Sequence, residues 1–315
     1  MLLVWSYKSD YTVNLRLAGT KTRLLYPSLS LNQLNTIFFV IASRFQILAL
    51  ALLSHSSLAL ALPQNNPVPG GLLVFALPSA DITQVTFQDH RVAIVEENQK
   101  RYALVGLALD IKPGKNQLEM TTNASTKIRH AFNVRDKSYT VQRLIVKDQR
   151  KVDPTAEDMI RIQAEQIRMD RARNSWTDSP ARFDFTQPVS GRVSSIFGLR
   201  RYFNNQPRKP HAGLDLAAAE GTPIQAVESG TVIESGDFFF SGNMVYIDHG
   251  QGLISLYAHM HNINVKTGDK IQRGQIIGSV GQTGRVTGPH LHLAVIINQT
   301  LVDPVLFLPP QSSTE

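Results

Sequence analysis

Short β-prone runs separated by turn residues fill most of the chain after residue 71, and this pattern restricts the fold more than any other feature. Between 72 and 146 there are about seven such runs, separated by turn residues such as Pro113-Gly114. Short strands at this spacing are typical of small antiparallel sandwiches. We therefore predict a mostly β protein in which residues 64–150 form an immunoglobulin-like β-sandwich accessory domain.

A second β region, denser in glycine, follows from 188 to about 310. It contains apolar runs at 243–248, 253–258 and 291–297. Six of the nine histidines of the chain lie in this region. We predict an antiparallel β domain over 188–310, and we expect any histidine-based chemistry to be located there.

One helix is predicted between the two β regions. Asp153 precedes Pro154, as is typical of a helix start, and Thr155 and Asp158 have the spacing of a capping box. The residues that follow are good helix formers, and we expect their charges to face solvent. An apolar stripe on this helix consists of Ile160, Ala164 and Ile167. Residues 151–187 are therefore predicted to be a connecting helix and a linker.

The first 61 residues have the layout of a targeting segment. A broken apolar stretch over 37–53 contains a single charge, Arg44, and small residues at 58–61 offer a cleavage site. This order is typical of a secretory signal peptide, so we predict export to the periplasm or cell envelope. If 37–61 acts as one segment, an uncleaved membrane anchor is the alternative. The charged stretch before it is long for a signal, as a start codon assigned too far upstream would explain.

Composition limits the metal ligands and the partners. The chain has no cysteine, so a bound zinc ion would have nitrogen and oxygen ligands only. Its formal net charge of +7 favours an anionic partner, and the cell wall is one candidate. Lysine and arginine are scattered and no nucleic-acid recognition motif is present, so we predict no nucleic-acid partner.

Two fragments carry the residues suited to metal chemistry: His211-Ala-Gly-Leu-Asp215 and His290-Leu-His292. Catalytic zinc usually has three protein ligands and one open position. Residues two apart in a strand point to one face, so His290 and His292 project into one cavity. Their spacing makes it awkward for both to bind one ion, so one is expected to ligate and the other to lie beside it. Gly213 lets the chain bend, which would bring His211 and Asp215 together.

Seven short motifs in the second β region, in this order along the chain, resemble those of the M23 peptidase family, the lysostaphin and LytM type. They are Phe197-Gly-Leu-Arg200, His211-x-x-x-Asp215, Gly221-Thr-Pro223, Ala226-x-x-x-Gly230, Ile247-Asp-His249, Tyr257-Ala-His259 and Gly288-Pro-His-Leu-His292. The resemblance covers 189–309, about two fifths of the chain. The preceding β domain and helix are similar, more weakly, to the N-terminal region of some exported Gram-negative M23 proteins.

The resemblance implies a Zn²⁺ cofactor and a role for each matching residue. His211, Asp215 and His292 would bind the metal, and His259 and His290 would be catalytic. No His-Glu-x-x-His arrangement supplies a glutamate base, so imidazoles must transfer the protons. The implied activity is hydrolysis of peptidoglycan peptide cross-links, with a zinc-activated water as nucleophile. Further candidates that line the cleft are Asn243 and His261, whereas His249 is predicted to be a turn histidine.

Two other functions are compatible with parts of the sequence. A catalytically silent LytM-type activator of cell-wall amidases would typically have lost zinc ligands, but all five key residues are present. A carrier or sugar-binding module is suggested by 265–278, which resembles the hairpin of biotinyl and lipoyl domains but lacks their lysine tip. We therefore predict an active endopeptidase. The accessory β domain favours the D-Ala–diaminopimelate cross-bridge over a glycine bridge as its target.

Overall fold

The computed structural model describes residues 12–17, 20–25 and 62–310. The chain divides into two compact units, Met1–Ala59 and Leu60–Glu315. In the first unit, strands β1 (Thr12–Leu17) and β2 (Thr20–Leu25) pair in an antiparallel hairpin. The apolar stretch and cleavage site of the predicted signal peptide lie outside the described residues. No helix among the residues described here has the length and apolar character needed to span a membrane.

The second unit begins with seven strands in two antiparallel sheets, ordered β3-β7-β6 and β5-β4-β8-β9. Their bounds are β3 (Leu72–Ala76), β4 (Ile82–Phe87), β5 (His90–Arg91), β6 (Ala93–Glu97), β7 (Lys100–Gly106), β8 (Gly114–Thr122) and β9 (Lys127–Val134). Alternate residues of β8, Leu118 and Met120, pack with Leu73 and Val105 in one apolar core between the two sheets. An immunoglobulin-like arrangement of these strands stays a prediction.

The three-stranded sheet β3-β7-β6 is buried on both faces. Leu73 and Val105 point into the core between the two sheets, whereas Leu72 and Leu104 belong to the large core of the C-terminal region. A further link comes from Asn298, whose side-chain oxygen accepts a hydrogen bond from the Gly106 N–H at 2.6 Å. This sheet therefore forms a wall that both β regions share.

The segment between the two β regions contains strand β10 (Val141–Leu144), a 3₁₀ turn (Gln149–Lys151) and helix α1 (Ala156–Arg173). The predicted capping box is confirmed, because the Thr155 and Asp158 side chains each accept from the other's backbone N–H. After the helix, the aromatic side chains of Phe183 and Phe185 are buried in the large core.

The prediction that the helix charges face solvent is wrong for Asp158 and Glu165, which are buried. Glu165 accepts a 2.8 Å hydrogen bond from the Phe239 N–H, so the charged side of α1 packs on the sheet. The apolar stripe faces outward instead, and Ile160 and Ile167 are 71% and 64% exposed. A buried carboxylate with hydrogen-bond donors can outweigh the apolar pattern in orienting a helix.

Twelve strands form the C-terminal region. They are β11 (Arg192–Ser195), β12 (Arg200–Phe203), β13 (Gln206–Pro207), β14 (Leu214–Ala217), β15 (Pro223–Gln225), β16 (Gly230–Phe238), β17 (Gly242–Asp248), β18 (Ile254–Ile263), β19 (Lys270–Ile271), β20 (Ile276–Val280), β21 (His290–Ile297) and β22 (Thr300–Val302). Ten of them build one sheet, in which the path β11-β14-β21-β18-β17-β16-β19 is antiparallel throughout. A 3₁₀ turn, Pro304–Leu306, follows. The predicted mostly β, antiparallel fold is confirmed.

Three adjacent strands of this sheet, β14, β21 and β18, bring distant histidines together. In the register, Asp215 lies opposite His292, and His292 lies opposite Ala258, the neighbour of His259. Leu291 and Leu293 alternate with the histidines and point into the large core. One face of these strands is therefore anchored in apolar packing, and the other presents polar side chains.

Candidate metal centre

The donor atoms of His211, Asp215 and His292 converge on one point of this face. They lie within 4.8 Å of one another. His211 Nε2 is 2.9 Å and His292 Nδ1 is 2.7 Å from Asp215 Oδ1, and the two ring nitrogens are 3.1 Å apart. Two imidazoles and one carboxylate form a donor set that suits zinc and leaves a coordination position open.

The protonation of His211 supports a cation at this point. Its Nδ1 lies 2.7 Å from the carbonyl oxygen of Ile196, which can only accept, so the neutral ring carries its proton on Nδ1. Its Nε2 then presents a lone pair to the Asp215 carboxylate. Burial lowers the pKa of His211 to about 4, so the ring is neutral at pH 7. The Nε2 lone pair of His211 and the Asp215 carboxylate oxygen are both acceptors, and a metal ion between them would remove their repulsion. The residues therefore fit zinc.

Gly213 allows β14 and β21 to approach closely. A Cβ at this position would lie 2.5 Å from the Leu293 carbonyl oxygen and 2.6 Å from the His292 ring. Its φ is not positive, so the site requires the missing side chain rather than glycine's conformational freedom. We predicted that glycine is needed at 213 so that the chain can bend. The structure gives a different reason: the His292 ring occupies the space that a side chain at 213 would fill.

The second oxygen of Asp215 is held by an arginine that the sequence reasoning missed. Arg201 Nη2 donates to Asp215 Oδ2 at 2.9 Å, and Arg201 Nε donates to Gln142 Oε1 at 3.1 Å. Gln142 lies on β10, which pairs in parallel with β12, the strand of Arg201. Arg201 directly follows the Phe197-Gly-Leu-Arg200 motif, but nothing in the sequence distinguishes it from its neighbour Arg200.

His290 and His259 stand beside the three converging donors. His290 Nδ1 donates to the Gly288 carbonyl at 2.8 Å, and its Nε2 lies 3.8 Å from Asp215 Oδ1. His259 Nδ1 donates to the Thr283 carbonyl at 2.9 Å, and its ring centroid lies 4.9 Å from that of His290. Both rings are thus oriented by backbone carbonyls, with Nε2 as the remaining atom.

Burial keeps these two imidazoles neutral. It lowers the pKa of His259 to about 3, and it also lowers the pKa of His290. Both rings are therefore neutral at pH 7, with an unprotonated Nε2 that can accept a proton. His259 also has a φ of +64°, which is strained for a residue with a side chain. Strain of this kind is found where a side chain must be aimed at a functional centre.

The other candidate residues lie outside this group. Asn243 donates from Nδ2 to the backbone carbonyl of His261 at 3.0 Å and so braces the chain after His259. The His261 ring is exposed and lies 2.8 Å from Glu220. His249 is buried, and its ring nitrogens contact the Ser229 carbonyl and the Ser255 hydroxyl. Five of the residues predicted from sequence therefore lie together: His211, Asp215, His259, His290 and His292. Asn243 contacts the backbone close to His259 and does not belong to this group.

Two family models match the chain. The model for peptidase family M23 matches residues 209–304, and the model for the M23 N-terminal domain matches residues 65–137. A solved structure from Pseudomonas aeruginosa, described as a peptidase M23, is 36% identical to the chain. The aligned region covers 77% of this chain and 95% of the chain in that structure, and the TM-score is 0.65.

Curated relatives match about two fifths of the chain. The peptidoglycan DD-endopeptidase ShyC of Vibrio cholerae is 43% identical over 124 residues, which are 39% of this chain and 29% of the relative. The DD-carboxypeptidase/endopeptidase Mpg of Neisseria meningitidis is 40% identical over 123 residues, 39% of this chain and 28% of the relative. The chain thus spans less than a third of the length of these relatives.

Proposed function

Because the chain belongs to peptidase family M23, we propose that it is a zinc-dependent endopeptidase that hydrolyses peptide cross-links of peptidoglycan. The convergence of His211, Asp215 and His292 beside two neutral imidazoles carries this proposal. The names of two relatives, the peptidoglycan DD-endopeptidase ShyC and the DD-carboxypeptidase/endopeptidase Mpg, support the D-Ala–diaminopimelate cross-bridge as the bond that is cut. A peptidoglycan substrate also supports export to the periplasm or cell envelope.

Each residue of the group has a distinct role in this proposal. His211 Nε2, Asp215 Oδ1 and His292 Nδ1 would hold the zinc ion. When bound, zinc lowers the pKa of a water molecule and polarises a carbonyl group. Burial lowers the pKa of both His290 and His259, so at pH 7 neither ring carries the proton that it would need to act first as an acid.

The two neutral imidazoles therefore act first as bases. The unprotonated Nε2 of one ring accepts the proton of the attacking water, and the resulting imidazolium donates it to the leaving amine. Asp215 lies 3.8 Å from His290 Nε2 and stabilises the transient positive charge on that ring. The carbonyls of Gly288 and Thr283 keep both rings oriented through each transfer.

The test is digestion of purified sacculi by the full chain, with and without a zinc chelator, with the released muropeptides identified by mass. We expect cross-linked dimers to disappear and monomers to appear, and the chelator to stop both changes. The masses of the monomers identify the bond that is cut. A protein that binds zinc stoichiometrically but releases nothing from any wall type would contradict the proposal and favour an amidase activator.

A further inference from the structure

Arg285 is a half-buried cation beside the candidate metal centre that has no role in the mechanism described above. It lies on the loop between β20 and β21 that also carries Thr283, the acceptor for His259. Its guanidinium carbon is 4.4 Å from the ring centroid of Phe240 and 4.7 Å from that of Phe203. Two aromatic faces therefore hold this planar group in a defined position.

No carboxylate in the described part of the chain forms an ion pair with Arg285. Its side chain has one protein acceptor there, the Lys151 carbonyl at 3.4 Å, which is a long contact. Two guanidinium groups nearby do have carboxylates: Arg201 pairs with Asp215 at 2.9 Å, and Arg208 lies 3.6 Å from Asp153. Of these three arginines, Arg285 is therefore the one without a carboxylate partner among the described residues.

The surroundings make this charge unfavourable when the protein is alone. Burial, together with the charges of Arg201 and Arg208, lowers the pKa of Arg285 to about 10. The group still carries its proton at pH 7. A partly buried cation among like charges destabilises the protein unless an anion binds there.

Arg285 belongs to a loop that orients the His259 ring. Arg285 donates its backbone N–H to the Phe240 carbonyl at 2.8 Å, which ties its loop to the segment before β17. The next carbonyl, that of Ser241, accepts a hydrogen bond from the His259 N–H at 2.9 Å. Thr283, which accepts from the His259 ring, precedes Arg285 on the same loop, and the chain then continues to His290 at the start of β21. A group bound at Arg285 therefore lies against the segments that position His259 and His290.

We propose that Arg285 binds a free carboxylate of the substrate peptide and so selects substrates with a carboxylate near the scissile bond. This inference rests on the proposed function and narrows its substrate class. A guanidinium fork binds a carboxylate through two parallel hydrogen bonds, which gives direction as well as attraction. The interior of a glycine bridge has no carboxylate, so such bridges are excluded as good substrates.

Binding of a defined cross-linked muropeptide to the full chain tests the inference, measured by calorimetry in a His290→Ala background that slows cleavage, with the peptide's mass checked after each titration. The same peptide with its carboxylates converted to carboxamides is the second ligand. We expect Arg285→Gln to raise the Kd of the carboxylate form by about 10- to 100-fold, because a hydrogen-bonded charge pair is lost. It should leave the Kd of the amidated form unchanged.

Arg143→Gln is the matched control, since Arg143 is an exposed arginine that stacks on Tyr202 of β12 at 4.5 Å. It should change neither Kd. Equal binding of both peptides by the Arg285-containing protein would overturn the inference. So would an equal loss for both peptides in Arg285→Gln, which would indicate a structural role. Because a Kd is measured and not a rate of cleavage, these outcomes are independent of whether the chain cleaves sacculi.

Discussion

The two histidines of His290-Leu-His292 differ in which ring atom faces the candidate metal centre. His292 directs Nδ1 to within 2.7 Å of Asp215 Oδ1. His290 uses Nδ1 to bind the Gly288 carbonyl and leaves Nε2 at 3.8 Å from the same oxygen. Side chains two apart in a strand share a face but not a position, and so one can ligate while the other handles protons.

Substitution of these two histidines should therefore have separate effects. We expect His292→Ala to lose both bound zinc and cleavage. His290→Ala should keep stoichiometric zinc while its kcat falls about 10²- to 10⁴-fold, the usual contribution of a general acid–base residue. Zinc analysis of the purified variants and muropeptide assays measure the two quantities. An empty site in His290→Ala would show that the roles are reversed.

Arg201 is a positioning residue, because it contacts Asp215 and not the substrate. We expect Arg201→Gln to weaken zinc affinity about 10- to 100-fold, as is typical when a hydrogen-bond partner of a metal ligand is removed. Competition with a chromogenic chelator measures the affinity. The adjacent Arg200 is exposed, so Arg200→Gln is the matched control. Equal zinc affinity in both variants would mean that Asp215 does not depend on its ion pair.

At the scale of elements, helix α1 is held by its polar side. Glu165 accepts from the Phe239 N–H and from Arg161 Nε, and Arg168 donates to Glu234 on β16. Met169 and Ala172 add apolar contacts to the core around Phe238. The helix is therefore attached by directed hydrogen bonds, and its exposed isoleucines contribute little to its position.

Because α1 is attached by its polar side, loss of a charged side chain should destabilise the protein more than loss of an isoleucine. Glu165→Ala should lower the free energy of unfolding by about 1–3 kcal/mol, because the buried Phe239 N–H loses its acceptor. Ile160→Gln should change it by less than about 0.5 kcal/mol, since that side chain is exposed. Urea unfolding followed by circular dichroism gives both values. A larger loss for Ile160→Gln would show that the apolar stripe is covered in solution.

At the scale of the whole molecule, the two β regions share the sheet β3-β7-β6 as a common wall. Leu72 and Leu104 belong to the same core as Ile297 of β21. Strand β10 adds a second connection, because its Gln142 contacts Arg201 near the candidate metal centre. The division into an accessory domain over 64–150 and a peptidase domain over 188–310 stays a proposal, and the N-terminal strands have both a core of their own and a share in the large core.

The shared wall predicts that the C-terminal region is less stable alone. A chain of residues 178–315 keeps Phe183 and Phe185 but uncovers the side chains that pack on Leu72 and Leu104. Its Tm should fall by at least about 5 °C relative to residues 62–315, because 1 kcal/mol corresponds to about 2–4 °C at this size. Scanning calorimetry measures both chains. An unchanged Tm would show that the wall contributes nothing to the C-terminal core.

The sequence by itself determined the features that depend on local pattern. Alternation and turn residues predicted the mostly β fold, and the spacing of Thr155 and Asp158 predicted the helix start. Two short motifs with residues suited to zinc chemistry indicated a metal site, and the resemblance of the motifs to the M23 family implied which residues bind the metal and which are catalytic.

Only the tertiary structure decided which side chains surround them. Arg201, Gln142 and Arg285 come from three separate segments, and ordinary arginines and glutamines carry no local signal of their neighbours. The outward face of α1 depended on a backbone N–H at Phe239, far away in sequence. The periodicity of a sequence indicates which faces an element can bury. Long-range hydrogen bonds and ion pairs select the face that is buried in the folded protein. These interactions form only after the strands have paired, so the sequence pattern does not contain them.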